Sequence, residues 1–202
     1  MKNESIQFME EYCEFKDNWV WILTGIARNK DNETNEKFLK RFVIKSKNDI
    51  SDSYFLLKEM MNKSGVTYRI YLSLNARDAN KTLFNFQKKL IDLSYDASRG
   101  IENNNIKNIG SLWKTELAQS CNRATKNFLL DIDDFQDEDK VRELCASNKP
   151  EIGIVCIRRT PSGLACVINP NDTRGLVKSF KDNNIEMNLQ RDSLLFIEQF
   201  TA

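Results

Sequence analysis

Apolar and polar residues alternate most plainly between Val66 and Asn75. Val66, Tyr68, Ile70, Leu72 and Leu74 occupy one side of a period-two repeat, and Arg69, Tyr71, Ser73 and Asn75 the other. That period predicts a strand with one apolar face. Trp19–Ile26 (WVWILTGI) and Phe38–Lys45 (FLKRFVIK) are β-rich and flank a turn-like stretch from Asn29 to Asn35, which predicts a hairpin. Trp19 and Trp21 share one face of the first of these strands and are expected in a core. Ile50, Tyr54, Leu57 and Met61 recur at helical spacing within 49–62, with Asp49 or Ser51 as the cap. Asp78 opens a long helix with Leu83, Phe86, Leu90 and Leu93 on one stripe, Ser98–Gly110 reads as a polar, Asn-rich loop, and Leu112–Arg123 as another helix.

Phe128–Ile132 is a short apolar strand, and Asp137–Ala146 a helix. Ile152–Ile157 and Leu164–Ile168 are strands around the turn Thr160-Pro161-Ser162-Gly163. Thr173–Asp182 reads as a short helix, with strands at Ile185–Leu189 and Leu194–Phe200. The sum is an α+β fold, mostly antiparallel hairpins with helices between them. Its 202 residues fit a single domain, with an N-terminal hairpin-and-helix lobe over 1–65 and a core over 66–202.

Composition narrows the chemistry. The chain has no histidine, which excludes a Ser-His-Asp triad, a Cys-His pair and His-ligated zinc or iron. Proton transfer must use carboxylates, Lys, Tyr or Cys, and any metal site must be a carboxylate site, which suits Mg²⁺, Mn²⁺ or Ca²⁺. With 30 Lys+Arg against 29 Asp+Glu, no global field draws the chain to nucleic acid or to an anionic membrane. Five cysteines without a C-x-x-C fit a reducing, cytoplasmic setting, and no segment has the length and apolarity of a membrane span.

Three stretches could carry chemistry. In Phe128-Leu129-Leu130-Asp131-Ile132-Asp133-Asp134 an apolar strand ends in acids at i and i+2, and period two puts Asp131 and Asp133 on one face. Such a pair either binds a divalent cation or simply marks the polar end of the strand. Arg158-Arg159-Thr160-Pro161-Ser162-Gly163 runs two arginines into a tight turn, which is either a phosphate cradle or an ordinary hairpin with exposed arginines. Arg191-Asp192-Ser193 sets an acid before an apolar strand, as a third carboxylate or a solvated strand edge. Outside these, Lys40, Arg41, Lys45 and Lys47 cluster around the second strand as candidate phosphate contacts, and the face bearing Arg69, Tyr71, Ser73 and Asn75 suits either a nucleic-acid surface or solvent. Cys156 and Cys166 lie in adjacent strands and read as small core hydrophobes.

In their order along the chain, these motifs and the segment Tyr68–Asp78 (YRIYLSLNARD) resemble the archaeo-eukaryotic primase (primase-polymerase) superfamily, its small phage-type members above all. The resemblance spans roughly 66–200. It implies an RRM-like sheet, two divalent metals (Mg²⁺ or Mn²⁺) held by Asp131, Asp133 and Asp192, and incoming NTP or dNTP phosphates held near Arg158, Arg159, Ser162 and Gly163. The implied partners are nucleotides and DNA or RNA. The family pattern T-P-x-G-aromatic-His places histidine where this chain has Ala165. The resemblance therefore implies either a nucleotidyltransferase or a catalytically degenerate phage-encoded factor that binds a nucleotide, a nucleic acid or a host protein. Hydrolysis or transfer on a small nucleotide is a third use of the same groups.

Overall fold

Sequence order becomes architecture through two sheets with helices packed against them. The structure is a computed structural model that describes residues 3–27, 31, 39–101, 106–148 and 151–201. The chain divides into two compact units, one of Met1–Ala124 with Ile197–Ala202 and the other Thr125–Phe196. The first contains α1 (Glu4–Tyr12), β1 (Trp19–Ile26), β2 (Leu39–Ile44), α2 (Asp49–Asn62), β3 (Tyr68–Ser73), β4 (Arg77–Asp78), α3 (Ala79–Ser98) and α4 (Ile109–Leu117). The second contains β5 (Phe128–Asp133), α5 (Glu138–Ser147), β6 (Ile154–Thr160), β7 (Gly163–Ile168), α6 (Arg174–Asp182) and β8 (Asn188–Gln190). Strand β9 (Leu194–Phe200) ends the chain, and its residues from Ile197 onward belong to the first unit.

In the first unit β1 is central. It pairs antiparallel with β2, from Trp21 opposite Ile44 to Ile26 opposite Leu39, and with β3, from Leu23 opposite Leu72 to Ile26 opposite Arg69. The strand order is β2-β1-β3-β9, with β4 beside the start of β1. Because β1 joins the 1–65 hairpin to β3 by a hydrogen-bond ladder, the division between units falls after Ala124 rather than after residue 65. Trp21 and Leu23 of β1, Ile44 of β2, Tyr68, Ile70 and Leu72 of β3, and Tyr54, Leu57 and Met61 of α2 form one buried cluster, onto which Trp19 packs. A separate cluster joins Val20 and Ile22 of β1, which alternate to the other face of the sheet, with Leu117 of α4.

In the second unit the order is β6-β7-β5-β8, all antiparallel. Leu130, Ile132, Leu164, Cys166 and Ile168 point to one side and are covered by Val141, Leu144 and Cys145 of α5 and by Leu176 and Phe180 of α6. The fold is α+β, and among the described residues no helix is long and apolar enough to cross a membrane.

Several expectations shift locally. The α2 cap position is Asn48, while the Asp49 carboxylate accepts from the Lys45 and Ser46 amides and ties down the preceding turn. Of the expected α3 stripe only Phe86 is buried, edge-on to Trp113, and Leu83 faces solvent. The Ser98–Gly110 loop is shorter than its composition suggests, because α3 runs to Ser98 and α4 starts at Ile109. The helix expected over 112–123 ends at Leu117, and a separate 3-10 turn follows at Ser120–Asn122, where the Asn122 side-chain amide donates to the Glu116 carbonyl at 2.8 Å. The strand expected over 185–189 is confined to Asn188–Gln190. Of the turn-like stretch 29–35 only Asp31 lies among the described residues, and Phe38 lies outside them.

Candidate functional site

The acids of β5 are positioned by two antiparallel neighbours. Asp131 stands opposite Ala165 of β7, and Ala165 stands opposite Arg158 of β6. On the other side Asp131 faces Asn188 of β8. One row therefore crosses four strands as Arg158, Ala165, Asp131 and Asn188. Two residues further along β5, Asp133 stands opposite Gly163, and Gly163 opposite Thr160. Since side chains two apart on a strand share a face, Asp131 and Asp133 lie on the face opposite Leu130 and Ile132, which belong to the core.

The hairpin turn is locked onto the end of β5. The strands reach Thr160 and Gly163, so the turn is only Pro161–Ser162. The Asp134 amide donates to the Ser162 carbonyl at 2.7 Å, and Asp134 adopts φ 54, a left-handed conformation that Asp tolerates better than most residues. A Cβ on Gly163 would sit 2.0 Å from the Ile132 carbonyl oxygen. Glycine is needed here for close approach of two backbones, which fixes the turn against the acid-bearing strand.

The candidate residues separate into those brought together and those set apart. Asp131 is half-buried, with the Gln190 amide Nε2 at 3.5 Å from its Oδ2, and Asp133 is exposed. Arg158 is half-buried on the acids' face, whereas Arg159 alternates to the other face and pairs with Glu138 of α5 at 3.2 Å. Ser162 is exposed in the turn, and Ala165 is buried with 2% exposure. Asp192 follows β8, which runs from Asn188 opposite Asp131 to Gln190 opposite Leu129 and so carries the chain away from Asp133. Among the described residues no three His, Cys, Asp or Glu side chains group to hold a metal ion, so Asp131, Asp133 and Asp192 do not form one three-ligand cluster.

Two carboxylates on one face suffice for a cation that completes its shell with water and substrate phosphates, as Mg²⁺ commonly does. Asn188 and Gln190, the polar neighbours of Asp131, are not signalled by local sequence, because only the β5–β8 register brings them there. Burial pushes the Cys156 thiol up to about 11, and Cys166 is also raised, by its hydrogen bond with Cys145 and by burial. Cys166 thus meets Cys145 of α5, while its cross-strand neighbour is Ile157 and Cys156 stands opposite Val167. Comparison with family models, curated proteins and solved structures found no match.

Proposed function

We propose that the second unit carries a metal-dependent nucleotidyltransferase site of the primase-polymerase type, in an RRM-like setting, acting on NTP or dNTP and on nucleic acid in the cytoplasm. The observation that carries the reading is the cross-strand row in which Asp131, Ala165 and Arg158 are consecutive neighbours, with Asp133 and the Pro161–Ser162 turn beside it. Two carboxylates and one guanidinium share a single rigid face, with only the Ala165 methyl group between Asp131 and Arg158. Asp131 and Asp133 are the residues that would hold Mg²⁺ or Mn²⁺, which when bound supplies charge neutralisation at the phosphates. Arg158 contributes positive charge on the phosphate side, and the Gln190 amide orients Asp131. In this reading Ser162 and Gly163 shape the phosphate side of the hairpin.

A specific observation favours a second reading, a degenerate factor that binds nucleotide without turnover. Ala165 occupies the centre of the row, where a methyl group can neither donate to a phosphate nor move a proton. The test is Mn²⁺-dependent incorporation of labelled nucleotide into a primed template. The expected result is incorporation by the unaltered chain and its loss in the Asp131→Asn, Asp133→Asn double variant, with an unchanged circular dichroism spectrum. Nucleotide binding without incorporation supports the second reading. Incorporation that survives the double substitution overturns the assignment of the acids.

A further inference from the structure

The first unit holds a cavity of about 380 Å³ at the edge strand of its sheet. It is lined by Leu39, Lys40, Arg41 and Phe42 of β2, Met60 of α2, and Ser111, Lys114 and Thr115 of α4. Its size is within the roughly 300–1,000 Å³ of small-ligand sites. Three of the described lining residues are cations and none is an acid. Arg41 and Lys114 are half-buried, so their charges are drawn partly out of water.

The Arg41 guanidinium approaches a neutral partner, the Thr115 hydroxyl, at 3.4 Å, and burial lowers its pKa from the ordinary value. Lys114 lies over the Phe42 ring at 5.8 Å. Ser111 is the third residue of α4, so the cavity also borders the positive end of a helix. Lys47, from the same basic cluster in the sequence, pairs with Glu10 at 3.8 Å. Lys114 is far from that cluster in sequence and joins it only through folding.

We propose that this cavity binds the phosphate of a nucleoside phosphate, either a free nucleotide or one unit of a single strand. Arg41, Lys40 and Lys114 neutralise the phosphate, the Ser111 hydroxyl donates to it, and Leu39, Phe42 and Met60 offer an apolar surface to the rest of the ligand. The proposal is independent of the carboxylate site of the second unit and requires no metal.

Binding of ATP and of a 5′-phosphorylated oligothymidylate, with adenosine as the phosphate-free control, tests it by calorimetry in metal-free buffer. The expected result is binding of at least one phosphorylated probe and none of adenosine. Tighter ATP binding identifies a free nucleotide as the ligand, and tighter oligomer binding identifies a strand. Arg41→Gln and Lys114→Gln are each expected to weaken binding about tenfold, the worth of one charge-assisted hydrogen bond. Arg41→Lys restores part of the loss. Thermal melting of each variant separates lost binding from lost folding, and Lys114→Glu supplies a second route to the same loss. Absence of binding by the unaltered chain, or equal binding by the Arg41→Gln, Lys114→Gln double variant, overturns the proposal.

Discussion

Strand β3 of the first unit and strand β5 of the second both alternate polar with apolar residues, but most polar residues of β3 are sealed inside while the acids of β5 reach the surface. In β3 Arg69 is 8% exposed and Ser73 1%, and Asn75 just beyond it is fully buried. The Arg69 guanidinium pairs with Asp31 at 2.8 Å, and the Ser73 hydroxyl accepts from the Ile22 amide at 3.1 Å. In β5 Asp131 is half-buried beside the neutral Gln190 amide, and Asp133 is exposed. A polar side of a strand is therefore no guide to a binding surface by itself. The expectation that Arg69, Tyr71, Ser73 and Asn75 form a solvated or nucleic-acid-binding face is corrected, since three of the four are buried.

The largest expected effect is at the buried pair. Asp31→Ala leaves the Arg69 guanidinium inside without its carboxylate and is expected to cost about 3 kcal/mol or more in urea unfolding. Asp133→Asn, on an exposed acid, should change stability by less than about 0.5 kcal/mol. Equal costs would erase the contrast between the two strands.

Gly163→Ala ranks next. The added Cβ meets backbone rather than a movable side chain, so β5 and β7 must separate, at an expected cost of about 2–3 kcal/mol. The same measurement of unfolding checks it, and a neutral outcome would mean that the turn is not locked onto β5.

A smaller effect concerns Tyr68, at the head of β3. Burial, and then the negative charge of Glu198, push its phenol up to about 12. Tyr54, which donates to Glu198 at 2.5 Å, is raised in the same direction by burial and by that carboxylate. The unfolded chain loses these protons near pH 10 while the folded chain keeps them, so their contribution to stability is full below about pH 10 and falls as pH rises from 10 towards 12. Urea midpoints measured across that range should fall less steeply for Tyr68→Phe than for the unaltered chain. Parallel curves would show that Tyr68 titrates alike in both states.

Local pattern identified β3 and α2 by their period, and β1, β5 and β7 by β-rich or apolar composition beside turn signals. It also located the acids Asp131 and Asp133 and the turn that faces them. Element ends were less legible. The 98–110 stretch reads as a loop from its asparagines, and its described part also holds a 3-10 turn at Ile106–Asn108 that leads into α4. The stripe of α3 was legible as a pattern but not as a buried face, since burial depends on what packs against it.

Local sequence by itself determined the antiparallel α+β character, the D-x-D strand and the absence of histidine chemistry, all properties of composition and short-range period. Tertiary structure alone decided which cations share a wall with Lys114, which arginine of the pair Arg158 and Arg159 faces the acids, and that Asn188 and Gln190 stand beside Asp131. The physical reason is register. A strand's own alternation sets its two faces, but which residues of another strand or helix stand beside them depends on hydrogen-bond ladders and packing between segments far apart in the chain.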